Sequence, residues 1–416
     1  MSHPGCFRFQ LRGILWPLNP SPTKEWPLPS ERTVFSQLLD FLPRHEFNKC
    51  VGRYQGNYRI REFSCLDQFL CLAFAQLTGR ESLRDIETCL RAMQPKLYHC
   101  GFRGRIARST LADANETRDW RIYADFAQVL IRRTRQLYAT EDFGVELAQT
   151  VYALDTTTIE LGLSLFPWAR YKRQQGAIRL HTQLDLRGNL PCLIHVTDGK
   201  AYDTVILDQL LLEPGSFYIM DRAFVDFARL AKITESLAYF VVRARKNLIY
   251  RRRTRRPVDR STGLRSDQTI RLRLRHSAQR YPHELRYVSY RDQDRHRQLI
   301  FLSNNSLLPA LTITQLYKRR WRIELFFKWI KQHLQIKAFY GTSPNAVKTQ
   351  IWTAISTYVL VALIRKELGI DRNPSEILQI LSTAIFEQVP VSQLLTENTL
   401  QHENNESPKQ LNLFDL

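Results

Sequence analysis

A chain of 416 residues is long enough for two or three domains, each with its own core. A hydrophobic content of 44% excludes a disordered chain, and a formal net charge of +20 points to a polyanionic partner, nucleic acid first. No stretch reads as a membrane span: the most apolar run, residues 351–364, is broken by Thr353, Ser356 and Thr357 and falls short of ~20 residues. The seven scattered cysteines lack zinc-site spacing and read as reduced thiols, which suits the cytoplasm.

Residues 1–32 are proline-rich and patternless, an extension without a fold of its own. Residues 33–145 read as a helical N-terminal domain. The segment from Thr33 is amphipathic and stops at Pro43, and residues 66–77 are apolar enough for a buried helix. Ser82 is placed to cap a short helix ending before Pro95, and Ser109 to cap another starting near Thr110. Between them lies a basic loop with Gly101, Arg103, Gly104, Arg105 and Arg108. Helix, glycine-arginine loop, helix resembles a helix-turn-helix DNA reader, although an ordinary bundle with a basic loop has the same pattern. The helix predicted over 120–138 carries Arg132, Arg133 and Arg135 near its end, where cations suit the dipole.

The pattern changes over residues 146–242, the first part of a core. Strands are predicted at 151–161, 178–185, 190–197, 216–221 and 238–244. The second and third form a hairpin through Arg187, Gly188 and Asn189. Helical segments at 204–212 and 225–237 separate the others. The order is that of an α/β, ribonuclease-H-like fold with a mixed sheet.

Residues 243–297 break this rhythm. They hold 17 Arg and one Lys against five acidic residues, thirteen of the twenty net charges. Alternation at 270–275 and 285–291 predicts a β-rich insertion with arginine on one face. That density exceeds what solubility requires, because self-repulsion destabilises a fold. The insertion is therefore assigned to phosphate-backbone binding, with Arg251, Arg252 and Arg253 in its densest run. Residues 298–370 return to the core with a strand and two helices. A helical region at 371–395 and a polar tail at 396–416 complete the chain.

The first of those helices, 316–334, carries the chemistry. At ~100° per residue, Leu316, Ile323, Phe327, Ile330 and Leu334 share one stripe. Tyr317, Arg320, Glu324 and Lys331 share the stripe beside it. A carboxylate flanked by cations suits an anionic substrate with a metal between them. The same residues also suit a surface helix laced with ion pairs, since Glu324 and Lys328 stand at i, i+4. Asp155 lies within the first strand and Asp221 at the end of the fourth, which are neighbours in a ribonuclease-H-like sheet. With Glu324 they offer hard oxygen ligands for two Mg²⁺ or Mn²⁺ ions. One ion would activate a water or 3′-hydroxyl and the other would stabilise the leaving oxygen. Glu160, Asp185, Asp198 and Asp203 read as structural or supporting residues, and His181 and His195 as core or surface histidines.

The spacing Tyr317-x2-Arg320-x3-Glu324-x6-Lys331 resembles the signature of bacterial cut-and-paste transposases of the insertion-sequence-four family, within the DDE superfamily. Asp155 with Thr156 and Thr157, and Asp221 with Arg222, Ala223 and Phe224, look like that family's two aspartate motifs. The resemblance covers the chain from about residue 33 to 370. It implies a DNA transposase that holds two Mg²⁺ ions on Asp155, Asp221 and Glu324. Water would nick each transposon end, and the freed 3′-hydroxyl would attack the opposite strand to give a hairpin that is reopened before insertion. Tyr317, Arg320, Lys331 and Arg222 would hold phosphates. The implied partners are double-stranded DNA, as terminal inverted repeats and target, and a second copy in a synaptic homodimer at the nucleoid. Residues 33–145 would be the DNA-binding domain. Some relatives steady a flipped base on an insertion-domain tryptophan. No tryptophan lies between Arg222 and Arg320, which leaves Tyr250, Tyr281, Tyr287, Tyr290 or Trp321. Two readings compete: a catalytically inactive DNA-binding relic or repressor, and a sequence-nonspecific metal nuclease. Three carboxylates near phosphate argue against the relic, because without metal they repel DNA.

Overall fold

The computed structural model describes residues 32–173, 175–245, 247–292, 296–333 and 339–396. The extension expected at 1–32 and the tail at 396–416 lie outside these residues, save Arg32 and Thr396. Leu334 of the apolar stripe also lies outside them.

Helices fill the N-terminal region. Thr33 caps Val34–Leu38, which runs through a 3-10 turn, Leu39–Phe41, to Pro43. Ser64 and Asp67 cap Cys65–Thr78 reciprocally, and Gly79 ends it at φ 67°. Ser82 caps Leu83–Ala92 as predicted. Ser109 does not cap: it sits in the first turn of Arg108–Thr117, whose N-cap, Ala107, has no side chain to bond the free amides. The connection between these two helices contains a further turn, Gln94–Leu97, and a long loop. It is not the ~3–4-residue turn of a helix-turn-helix.

The helix Pro344–Glu367 corrects the expectation drawn from residues 351–364. At 24 residues it is long and apolar enough to cross a membrane, yet 94% of its most apolar window is buried in this protein. It packs on Arg121–Leu137 and Cys65–Thr78 as a core helix.

The strands are β1 (Val151–Leu161), β2 (Arg170–Lys172), β3 (Gln175–Asp185), β4 (Leu190–Asp198), β5 (Phe217–Met220) and β6 (Tyr239–Arg243). The basic segment adds β7 (Tyr250–Arg256), β8 (Leu264–Leu272) and β9 (Leu285–Asp292), and β10 (Arg297–Ser303) follows. All join one sheet in the order β2-β3-β1-β5-β6-β10-β9-β8-β7, with β4 on β3. β1 runs antiparallel to β3 and parallel to β5, and β5 runs parallel to β6. The β3–β4 turn has Gly188 at φ 77° and Asn189 at φ 54°. A Cβ on Gly188 would stand 2.5 Å from the Tyr138 ring, so only glycine fits.

The basic segment does not fold apart. β10 pairs with β6 on one side and β9 on the other, so β7–β9 prolong the core sheet. Arginine is not confined to one face either. β7 is the sheet's edge strand, and residues 251–255 are all exposed. Arg286 is interior, 5% exposed, and its Nε and Nη2 donate to Asp267 at 2.9 and 2.7 Å. Its Nη1 donates to the Leu308 carbonyl just before the helix Ala310–Arg319.

The helical region is tied to the base of the sheet. Arg135 donates to Asp185 in β3 (3.0 Å) and to the Tyr152 hydroxyl in β1 (2.6 Å). Tyr152 in turn donates to Glu213 ahead of β5 (2.7 Å). Burial pushes the Asp185 carboxyl up and Arg135 opposes this.

Candidate active site

β1 is longer than β5, and this creates the site. Their pairing ends at Leu154–Met220. Asp155 therefore lies one step past the last paired residue, and the chain turns away from β5 at Asp221. There Asp221 caps the 3-10 turn Arg222–Phe224, its carboxylate accepting from the Ala223 N–H at 2.6 Å. Asp155 accepts from the Thr156 N–H at 2.8 Å. Two aspartates distant in sequence thus stand at adjoining strand positions, as the strand order predicted.

The expected single helix 316–334 is two, Ala310–Arg319 and Trp321–His333, with Arg320 at the joint. The backbone bonds there, Arg320 N–H to Tyr317 and Ile323 N–H to Arg320, span three residues, as in a 3-10 turn. The apolar periodicity passes through this joint, which hides it from a pattern reading. Leu316, Ile323, Phe327 and Ile330 are buried, and so are Phe326 and Trp329. Trp321–His333 packs on β1, which sets Glu324 in its first turn over Asp155.

Arg320 joins the carboxylates. Its Nη1 donates to Asp155 Oδ2 at 2.8 Å and its Nη2 to Glu324 Oε1. Its side chain is 15% exposed. Burial works against the guanidinium charge, but Asp155, Tyr317 and Glu324 outweigh it and hold the pKa above its ordinary value. Burial pushes the Asp155 carboxyl up to about 6; Arg320 and the Thr156 N–H pull it down, while Asp221 and Glu324 push it further up. Asp221 and Glu324 therefore act on Asp155 electrostatically. As the side chains stand, no three His, Cys, Asp or Glu residues among those described are grouped to hold a metal ion.

The Tyr317 ring packs on Phe301 at 4.6 Å, with the Arg320 guanidinium 5.8 Å from its centre. Burial and nearby Asp221 raise its hydroxyl pKa, against Arg320 and Arg243. Lys331 is half-buried two turns beyond Glu324, and Arg222 is exposed beside Asp221. Arg251, Arg252 and Arg253 lie on the β7 edge, outside this cluster.

Other residues proved relevant that the motif did not reveal. Tyr317, Lys318, Arg320, Trp321 and Glu324 line a cleft of about 320 Å³ shared with Arg297 and Asp292. Lys318 donates to the Tyr290 hydroxyl at 3.1 Å, and Trp321 is half exposed. Tyr281 and Tyr290 are buried, so neither can stack a base. His181, wholly buried on the neighbouring strand β3, bridges the hydroxyls of Thr156 in β1 and Thr197 in β4 at 2.9 and 2.8 Å. Asp203 pairs with Arg179, and Asp198 bonds the amides of Lys200 and Ala201.

Carboxylates on β1, just past β5 and on a helix, two of them joined by Arg320, are an arrangement suited to chemistry on a phosphodiester. Comparison with known proteins agrees: residues 146–360 match the transposase DDE domain and residues 30–103 match a domain of unknown function (DUF4372). The chain belongs to the DDE transposase family and is a DNA-cleaving transposase of insertion-sequence type. A Sinorhizobium fredii protein named as transposase y4zB is 32% identical over 61% of this chain and 70% of its own. A Geobacillus stearothermophilus protein named as a transposase for insertion sequence element IS5377 is 30% identical over 50% of this chain and 55% of its own. A Synechocystis protein named as a transposase for insertion sequence element IS4SA is 23% identical over 78% and 90%. A solved piggyBac transposase synaptic complex with hairpin DNA is similar at a TM-score of 0.44 and 9% identity, over 91% of this chain and 87% of that one.

Proposed function

We propose that this transposase moves its own insertion sequence by cut-and-paste, with phosphoryl transfer at Asp155, Asp221 and Glu324, in the manner of the insertion-sequence-four family. One observation carries the proposal: Asp155 and Asp221 meet where β5 ends beside β1, and Arg320 ties Glu324 to Asp155. The order β4-β3-β1-β5-β6, antiparallel through β1 and parallel beyond it, supports a ribonuclease-H-like core.

The donor set fits a hard divalent cation. Asp155 is mostly buried beside two other carboxylates, a concentration of negative charge that calls for a cation, and Arg320 now supplies one. Asp155, Asp221 and Glu324 would hold Mg²⁺ or Mn²⁺, which when bound supplies Lewis-acid activation of the attacking and leaving oxygens. Arg320 must first let go of both carboxylates. A terminal DNA phosphate gives its guanidinium an equivalent bidentate partner, so arrival of DNA frees the carboxylates. Tyr317 and Lys331 hold the neighbouring phosphates from the same side, Lys331 also stabilising developing charge, and Arg222 does so from the β5 side. The exposed face of Trp321 suits an extruded base beside the scissile phosphate. Nicking, hairpin formation, reopening and strand transfer then follow on a synapsed homodimer. The β7 arginines grip duplex backbone, and residues 33–145 bind the terminal repeats.

The test is cleavage of a plasmid carrying this reading frame's own flanking DNA, with Mg²⁺ and with EDTA, by the wild type and by Asp155→Ala. Metal-dependent excision with hairpin ends, lost in the variant, is the expected result. Binding without cleavage by the wild type would identify a DNA-binding relic or repressor instead.

A further inference from the structure

The stretch from Arg91 to Arg108 carries Arg91, Lys96, Arg103, Arg105 and Arg108 and no acidic residue. A run like this is usually a solvated face, but here the backbone beneath it is fixed. Phe102 and Ile106 are each 4% exposed and anchor the loop in the core, while Arg103 and Arg105 between them point outward. Gly101 sits at φ 90°, where a side chain would strain the backbone. A Cβ on Gly104 would stand 2.3 Å from the Glu62 carbonyl oxygen, so the loop lies directly against the neighbouring backbone. The Arg103 N–H donates to Asp67 at 2.9 Å, and Asp67 is the 1%-exposed residue that also caps Cys65–Thr78.

Of the two side chains, Arg103 is held as firmly. The Arg103 guanidinium stacks 4.3 Å over the exposed Tyr98 ring and donates to the Tyr98 carbonyl at 2.9 Å. Arg105 is exposed, and no ion pair or hydrogen bond to it is found among the described residues. It lies on the ridge between two clefts of about 520 and 580 Å³ and lines both. Phosphate binding needs only a cation nearby. Reading a base edge needs a planar donor fork held at a fixed height and angle on a rigid support. The loop gives Arg105 a fixed backbone support, and the β7 edge, where the pairing to β8 slips, does not.

We propose that the loop over residues 101–108 is the sequence-reading surface of this protein, with Arg105 addressing base edges of the element's own terminal DNA and Arg103, stacked on Tyr98, flanking it. This rests on the reading that residues 33–145 bind the terminal repeats. The partner is duplex DNA, argued from the uniform positive charge and the absence of any acidic residue in the stretch.

The experiment uses the full chain carrying Asp155→Ala, so that bound DNA stays uncut. Fluorescence anisotropy compares a duplex from the DNA flanking this reading frame with a scrambled duplex of equal length and composition. The parent should prefer the flanking duplex. Arg105→Ala should lose about ten- to hundredfold on it and little on the scrambled one. Arg105→Lys, which keeps charge but not the fork, should lose the preference as well. Thermal melting checks that both variants fold like the parent. A parent without preference, equal losses on both duplexes, or a lysine variant that still discriminates would each overturn the proposal. Absence of cleavage by the wild type would sink the catalytic reading and leave a selective loss in Arg105→Ala standing.

Discussion

Two surfaces of this molecule are rich in arginine, and they are built in opposite ways. On β7, Arg251, Arg252, Arg253 and Arg255 follow one another on an edge strand with both faces open, where the pairing to β8 slips between Arg252 and Thr254. In the Gly101–Arg108 loop, two arginines alternate with buried anchors, over glycines that allow close backbone contact. The first surface fixes charge and leaves geometry adjustable, as gripping any duplex requires. The second fixes geometry. Charge counts alone cannot distinguish these two constructions; the packing beneath the arginines does.

On the proposed reading neither surface performs chemistry, and the largest expected effect separates holding from cutting. Glu324→Gln should abolish cleavage while leaving affinity for flanking DNA within a few-fold of wild type, because both arginine surfaces are intact. A gel assay showing comparable cleavage by the variant would remove Glu324 from the site.

The next effect breaks the comparison directly. Replacing Arg251, Arg252 and Arg253 with alanine should weaken binding to flanking and scrambled duplexes alike, on the order of a hundredfold near 0.1 M salt. The log–log salt slope should become shallower by about 3. If a salt titration of the triple variant retains the parent's slope, the edge strand is not the phosphate grip.

How much of this could be seen beforehand depends on what each signal senses. The adjacency of Asp155 and Asp221 was legible because the order of strands and helices pointed to a ribonuclease-H-like sheet, in which the first and fourth strands expected are neighbours. The signature of Tyr317, Arg320, Glu324 and Lys331 was legible because those residues share one stripe at helical spacing. The joint at Arg320 was not, since buried residues recur at helical spacing on both sides of it. Nor was the Arg320 bridge to Asp155, because i, i+4 spacing reveals only the Glu324 half. Arg286 misled for a third reason. Alternation in β9 placed it outward, but β9 is covered on both faces: Leu285, Arg286, Val288 and Ser289 are all buried, and Ala310–Arg319 packs against the strand. Burial of both faces erases the period-2 signal.

Arg286 therefore provides a control within the basic segment itself. Arg286→Met should cost about 3–5 kcal/mol in urea unfolding, because Asp267 would keep only Arg256, 3.4 Å away. Replacing Arg286 and Asp267 together with apolar residues should recover most of that loss. The salt slope of DNA binding should not move. A shallower slope would mean that this buried arginine reaches DNA, and the division between structural and DNA-facing arginines would have to be redrawn.

The smallest effect lies on β3, beside the strand that carries Asp155. His181 is buried between two threonine hydroxyls, and burial, then His195 and Arg179, lower its pKa to about 4 from 6.5. Between those values the folded protein binds fewer protons here than the unfolded chain. Stability from this site is thus complete above about pH 6.5 and drains away as pH falls toward 4. At pH 5 the loss is about 2 kcal/mol, from 1.36 kcal/mol per pKa unit. His181→Gln removes the titrating group while keeping a donor and an acceptor for Thr156 and Thr197. Its stability relative to wild type, measured by urea unfolding in EDTA, should stay constant above pH 6.5 and improve by that amount at pH 5. A difference that stays flat down to pH 5 would mean that His181 accepts its proton in the folded state as readily as in the unfolded one. The threonine bridge beside Asp155 would then open at mildly acidic pH instead of holding.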